Sequence, residues 1–411
     1  MAATPERPAL RFIPFRKRDV VEMCLAEGSL SAVEQMQFRD VCQLLQSVFH
    51  FDFHRILENL KDTYAPLNPD RDTRKIAAFG SDQQSEFVDH LQTLLNNANY
   101  ERLTDDDVAQ AFEEASLFKL KLDIDFNDFA EVLLFTRGES QRQTLDNGFL
   151  GRMRRSVSFT NYDRVVIYIR FSENMPINPL GFRPGSIMLK MFQNVPKADM
   201  EILFPNTRVG MRLIDKLIIG VPALVGGALV LTTKVGASLL LLGTVIGYYI
   251  GLHSQQVHIN EAVVIGLAAS VGALGSFIWK QFVNFKNRKL TFMQTLTQSL
   301  YFKNLDNNSG VFHRLLDDAE EEECKEAMLA YYFLTAMPNI TNAAALDAAI
   351  EAWFSTRWQS NVDFEIDDAL RKLIALGLVE QQGNALLAVD LPLACSRLDK
   401  RWDDYFKFSP A

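Results

Sequence analysis

Apolar and polar positions change rhythm three times along this chain. From Phe15 to Tyr64 apolar side chains recur at Phe38, Val41, Leu45, Val48, Phe49, Ile56, Leu57 and Leu60, a helical period. Ser31 and Glu34 have the spacing of a capping box, where hydroxyl and carboxylate satisfy free N–H groups at a helix start. Pro66 and Pro69 end the pattern, and further helices are predicted over Glu86–Leu95 and after a Thr104 cap, through Val108, Ala111, Phe112 and Ala115. Phe129–Phe135, Arg164–Phe171 and Ile187–Phe192 then read as strands: short, rich in β-branched and aromatic residues, and bounded by Gly, Pro and Asn. Gly138–Asn161, with Arg152, Arg154 and Arg155, reads as a polar loop between two of them.

The third rhythm is an apolar block, Leu217–Trp279, broken by Lys234 and by His253–Glu261. Crossing a bilayer takes about 20 apolar residues, so the expectation is a multi-pass α-helical membrane protein with soluble regions on either side. Arg208, Arg212 and Lys216 precede the block, Lys280, Lys286, Arg288 and Lys289 follow it, and the loop 253–261 has neither Lys nor Arg. Basic flanks stay cytoplasmic, which favours an even number of crossings. The expected transmembrane hairpin uses spans 235–252 and 262–279, with 217–233 as an ambiguous, broken or re-entrant piece; three crossings are the alternative. Gly243, Gly247 and Gly251, and likewise Ala268, Gly272 and Ser276, recur every fourth residue. Such small-residue stripes suit span packing or self-association. Neither favoured span contains Asp, Glu or Arg, so transport lacks its usual residues.

Beyond the block, 284–319 is expected to be a helical connector. Helices at Glu320–Thr335, Ala343–Trp358 and Ile366–Leu376 and a hairpin around Gln382–Gly383 then give 320–411 the order of a winged-helix-like domain. Residues 1–205 form an α+β domain with a small antiparallel sheet, and 206–283 the membrane block.

Charge and chemistry narrow the picture. Over all 411 residues the net charge is -9 and mean hydropathy is -0.02, an average that hides the apolar block. Residues 320–411 carry 16 Asp/Glu against 8 Lys/Arg, and the helix that would enter a DNA groove opens Glu365-Ile366-Asp367-Asp368. No nucleic-acid partner is expected, because phosphate binding needs a basic face. Four dispersed cysteines suggest buried thiols in a reducing compartment. Met1–Arg18 has no apolar core like that of a signal peptide, which keeps the first region cytoplasmic. His50 and His54, four apart on a helix, lack a third ligand. Asp123–Asn127 opens like a calcium loop but has Asp128 and Leu134 where Gly and Glu are required. Asp317, Asp318 and Glu320–Glu323 read as a solvated helix N-terminus. No catalytic residue, metal site or cofactor is assigned.

Several longer motifs resemble one family. They are Met191-Phe-Gln-Asn-Val-Pro-Lys-Ala-Asp-Met-Glu-Ile-Leu-Phe-Pro205, Asn284-Phe-Lys-Asn-Arg-Lys289 and Tyr301-Phe-Lys-Asn-Leu-Asp-Asn-Asn308. Val311-Phe-His-Arg314 leading into Glu320–Leu334, and Leu398-Asp-Lys-Arg-Trp-Asp-Asp-Tyr-Phe406, extend the likeness over most of the chain. They resemble the domain-of-unknown-function family that includes mitochondrial transmembrane protein 143 and bacterial relatives. The resemblance implies a multi-pass membrane protein and no activity. Met191–Arg212 and Asn284–Arg314 are expected to meet in a juxtamembrane collar, with Lys197, Asp199, Glu201, Lys303, Asp306 and His313 as candidate functional surface. The expected function is a non-enzymatic, membrane-anchored scaffold or adaptor in a bacterial inner membrane, with the lipid bilayer and a protein as partners. The alternative is a membrane-bound enzyme or regulator acting on a lipid or membrane-proximal ligand at the collar.

Overall fold

In the computed structural model, residues 9–69, 83–113, 121–147, 154–175, 182–210, 261–337 and 339–406 are described, with scattered positions between 243 and 251. The order begins α1 (Lys17–Leu25), α2 (Ala32–Tyr64), α3 (Gln83–Asn97), β1 (Glu101–Arg102), α4 (Asp105–Glu113), β2 (Lys121–Asp123) and β3 (Phe129–Asn147). It continues with β4 (Arg154–Phe171), β5 (Ile187–Pro196), β6 (Arg208–Gly210), α5 (Glu261–Lys303), β7 (Asn304–Asn307) and α6 (Ser309–Ala336). It ends with α7 (Ala343–Trp358), α8 (Ile366–Ala375), β8 (Val379–Gln382), β9 (Ala385–Ala388) and α9 (Leu391–Asp403).

Chain contacts divide into two units: 1–117 with 125–200 and 303–411, and 118–124 with 201–302. In the larger unit α6 is the axis. Cys324 and every residue from Ala327 to Phe333 are fully buried, because helices α1, α2, α3, α7 and α8 and strands β5, β7 and β9 surround it. The sheet is antiparallel in the order β1-β3-β4-β5-β7, and Leu133, Phe135, Val166, Tyr168, Leu189 and Met191 join the helical core. The capping box at Ser31 is present: Ser31 N–H donates to Glu34 Oε2 (2.8 Å) and Glu34 N–H to Ser31 Oγ (3.4 Å).

Sheet and axis are tied at Asn308, which takes a positive φ of 50° between β7 and α6. Asparagine tolerates that region better than most residues. Its N–H donates to the Leu189 carbonyl (2.8 Å), and its Oδ1 accepts from Leu189 N–H (3.2 Å) and from the Tyr64 hydroxyl (3.1 Å). The same hydroxyl lies 3.0 Å from the Ile187 carbonyl, and the Tyr64 ring packs between Phe87 and Phe312.

The smaller unit contains β2 paired with β6, and α5 as far as Phe302. Here the membrane expectation is corrected. Among the described residues no helix is long and apolar enough to cross a membrane, so the multi-pass architecture with a transmembrane hairpin gives way to an α+β fold. Span 262–279 is not a unit ended by its basic flank. It is the beginning of α5, a helix of 43 residues that runs unbroken past Lys280, Lys286, Arg288 and Lys289. Segment 217–233, and span 235–252 apart from scattered positions, lie outside the described residues.

Two further expectations change. Residues 138–147 and 154–161 of the expected polar loop Gly138–Asn161 instead belong to the β3–β4 hairpin, paired from Glu139↔Tyr162 to Asn147↔Arg154, and residues 148–153, with Arg152, lie outside the described residues. Past Asn161, β4 has no partner in β5, so the hairpin continues as a two-stranded ribbon of about 20 Å at the rise of extended strands. Ribbon pairing needs backbone groups and no apolar face, hence the missing apolar signal. The connector 284–319 contains a strand, β7, which completes the sheet beside β5.

Because Tyr64 spans the sheet and the α6 corner with one hydroxyl, Tyr64→Phe is expected to cost about 1–2 kcal/mol in urea unfolding. An unchanged unfolding midpoint would show that the tie contributes nothing.

Candidate functional site

The apolar stripe of α6 runs through Phe312, Leu315, Leu316 and Ala319 and resumes at Ala327, Ala330, Tyr331 and Leu334. Between those stretches the same helix buries Glu320, Glu322, Glu323, Lys325 and Glu326. Five ionisable groups inside a core demand partners or a neutral form, since an unpaired buried charge costs several kcal/mol.

Glu322, 1% exposed, is the centre. Its Oε1 accepts from Lys325 Nζ (2.8 Å) and from Arg137 Nη2 on β3 (2.9 Å), and its Oε2 accepts from the Ile13 N–H (2.9 Å). Lys325, 3% exposed, also donates to the Ile13 carbonyl at 2.6 Å. The Arg137 guanidinium lies 4.6 Å from the Phe12 ring centroid, with Nη1 3.4 Å from Asp318 Oδ2. That carboxylate also accepts from the Tyr100 hydroxyl, whose ionisation burial pushes far upward.

On one flank Glu320 receives Lys17 Nζ (3.2 Å) and His50 Nδ1 (2.9 Å). On the other, Glu323 pairs with Lys372 of α8 (2.9 Å), which also contacts Asp368. Glu326 accepts one hydrogen bond, from Asn99 Nδ2 at 3.0 Å. Burial raises its pKa to about 8, with Lys372 and Asn99 opposing; burial raises Glu323 to about 7 against its pair with Lys372. Beside Asn99 and Asp368 lies a cleft of about 470 Å³, also lined by Arg11, Thr93, Glu365 and Arg371.

The arrangement holds charge in place. Its cations and carboxylates point at one another, and the thiols nearby are unreactive: Cys24, Cys42 and Cys324 are unpaired and buried, with their pKa values pushed up by desolvation. Among the described residues no group of three or more His, Cys, Asp or Glu is placed to hold a metal ion. His50 is engaged by Glu320, His54 is exposed, and Asp125 Oδ1 accepts from the Asn127 N–H in a tight turn.

Sequence reasoning missed this network. It placed the acidic run at a solvated helix start, whereas α6 begins at Ser309 and the run lies well inside the helix. The available signal was Glu323 and Glu326 standing on the 3–4 spacing that Ala319, Ala327 and Ala330 continue.

The expected collar residues lie elsewhere. Segments 191–212 and 284–314 do meet, as neighbouring strands: Met191 of β5 is paired with Asp306 of β7. Lys303, its pKa lowered by desolvation, feels the charge of buried Asp199. Lys197 Nζ donates to Gln110 Oε1 (3.2 Å), and Asp306 receives Arg314 Nε (2.8 Å). The His313 ring stacks on Phe312, and the Glu201 carbonyl accepts from Thr207 Oγ1 in the smaller unit. Of the small-residue stripes, Ala268, Gly272 and Ser276 are exposed on α5, and a Cβ at Gly272, Gly243 or Gly251 would meet nothing within 4 Å; Gly247 is half-buried.

Residues 162–310 match the family described as "Protein of unknown function (DUF3754)". The match covers the chain from β4 to the start of α6 and includes the motifs at 191–205, 284–289 and 301–308. It carries no activity, and nothing in it connects the chain to transmembrane protein 143 or to membrane proteins. No solved structure matches the chain.

Lys325→Met takes one of two cations from the buried Glu322 and the donor from the Ile13 carbonyl, so a cost of about 3–5 kcal/mol is expected in urea unfolding. Lys17→Met breaks a pair that is partly open to solvent, and about 1 kcal/mol or less is expected. Equal losses would show that burial does not set the strength of these pairs.

A pH dependence follows from Glu326 and Glu323, whose folded pKa values lie above the ordinary carboxyl value of 4.5. Below about pH 4.5 each is protonated in both states and contributes no slope. As pH rises from there, the unfolded chain releases protons that the folded chain retains, so stability falls, through about pH 7 for Glu323 and about pH 8 for Glu326. Glu326→Gln is expected to flatten the decline, worth at most about 1.4 kcal/mol per pH unit, when urea midpoints at pH 5, 6.5 and 8 are compared. A decline parallel to the parent chain would overturn the assignment.

Proposed function

We propose that the chain is a non-enzymatic scaffold that presents a groove to a protein partner. The observation carrying this reading is the mutual engagement of the core charges: the buried polar cluster of α6 holds α6, α8 and β3 together. The start of α7, one face of α8 and the β8–β9 hairpin border a groove of about 610 Å³. Leu370 and Leu386 form buried apolar floor, Ile374 is 37% exposed, and Asn342, Arg371 and Gln381 stand at the rim. Apolar floor with a polar rim is the composition of protein-recognition surfaces.

Charge argues against a nucleic-acid occupant. Asp367 and Asp368 occupy the first turn of α8, where a phosphate would meet carboxylates. The likeness to the family of mitochondrial transmembrane protein 143 rests on the motifs at 191–205, 284–289, 301–308, 311–314 with 320–334, and 398–406, and is kept as part of this proposal. It adds no activity.

Ile374→Asp puts a charge on the groove without disturbing the buried ion pairs. Crosslinking in the source cells, followed by mass spectrometry, is expected to show a protein held by the parent chain and reduced about tenfold or more by Ile374→Asp. An identical set of crosslinked proteins for both chains would overturn this reading.

A further inference from the structure

A four-residue segment, Leu10–Ile13, lies in a seat built from four separate parts of the larger unit. Leu10 bridges Val362 in parallel: its N–H donates to the Asn361 carbonyl and its own carbonyl accepts from Asp363 N–H, each at 2.8 Å. Arg11 reaches two carboxylates, Glu101 Oε1 on β1 (Nη1, 3.0 Å) and Glu365 Oε1 (Nε, 3.0 Å). Phe12 lies under the Arg137 guanidinium, and Ile13 is 3% exposed. The Ile13 backbone is gripped at both ends, N–H by Glu322 and C=O by Lys325.

This is recognition of an extended peptide by backbone pairing plus side-chain pockets. Each position has its own reader: an acidic pair for a cation, a guanidinium face for an aromatic ring, and a buried socket for an aliphatic side chain. The seat also remains electrostatically closed when vacated. Glu322 keeps Lys325 and Arg137, and Arg137 keeps Asp318, so withdrawal of the segment strands no buried charge.

We propose that the seat of residues 10–13 is a peptide-recognition groove, filled here by the chain's own segment, in which a partner protein's extended segment with the same cation–aromatic–aliphatic order docks in its place. The acidic pair Glu101 and Glu365 selects the cation, and Ile13's socket sets the register. This groove uses none of the apolar floor between α8 and the β8–β9 hairpin, so either surface can fail its test while the other stands.

The probe is a fluorescein-labelled peptide with the sequence of residues 8–15, titrated by anisotropy into the full chain. In a chain carrying Arg11→Ala and Phe12→Ala the resident segment is weakened, and the peptide is expected to bind saturably with a Kd about tenfold or more below that for the parent chain. Adding Glu365→Gln to that chain is expected to weaken the peptide about tenfold, as is replacing the peptide's Arg by Glu. Arg11→Glu alone, on a half-exposed side chain, is a second loosened chain should the double variant not fold. Equal binding to parent and loosened chains, or binding indifferent to Glu365→Gln, would overturn the proposal.

Discussion

The larger unit depends on one carboxylate. Glu322 stands where an aliphatic side chain would ordinarily complete the core around α6, and three separate parts of the chain converge on it: Arg137 from β3, Lys325 from its own helix, and the backbone of Ile13. A hydrophobic contact at that position would be indifferent to which strand or segment supplied it. A carboxylate with three directed donors is not, because each must arrive at hydrogen-bond distance and angle. Buried pairs of this kind contribute little net stability over apolar packing; what they change is the cost of alternatives. Sliding β3 by one residue would turn Arg137 to the other face of the sheet and leave Glu322 with Lys325 as its remaining cation.

That constraint spreads outward by geometry. Fixing α6 fixes Asn308 at its start, and through Asn308 the pairing of β7 with β5. Fixing Glu323 one position along fixes Lys372, and with it the placement of α8 against α6. Glu326, a turn beyond Glu322, retains its proton near neutral pH through burial, which lowers the number of negative charges the cluster must neutralise. The acidic run is therefore a graded device: fully paired at Glu322, paired with Lys372 at Glu323, and proton-bearing at Glu326.

Much of the local structure was legible in the sequence because its causes are local. The capping box at Ser31–Glu34, the Thr104 start of α4, with Asp107 N–H donating to Thr104 Oγ1, and the bounds of α7 all follow from neighbouring residues. The strands were found where both faces are apolar and lost where the hairpin continues as a polar ribbon. The apolar block read as spans because span length and flanking charge are composition signals, and composition does not reveal that α5 runs on through its basic flank. The candidate site was the least legible part. Arg137, Asn99, Lys372 and Ile13 are distant from Glu322 in sequence, and nothing local to any of them announces the others.

The seat of residues 10–13 shows why such networks merit a functional reading as well as a structural one. If Glu322, Lys325 and Arg137 existed only to balance charge in the core, the Ile13 backbone would be dispensable, since both cations already reach Glu322 Oε1. The chain nonetheless presents both an acceptor and a donor to the backbone of a single residue, and adds two carboxylates for Arg11. Paired donor and acceptor on one residue's backbone recognise an extended strand regardless of its side chain, while Glu101 and Glu365 recognise one particular charge. Generic grip combined with a selective charge reader is what distinguishes a binding groove from a fixed core contact, because it specifies an occupant by pattern rather than by identity.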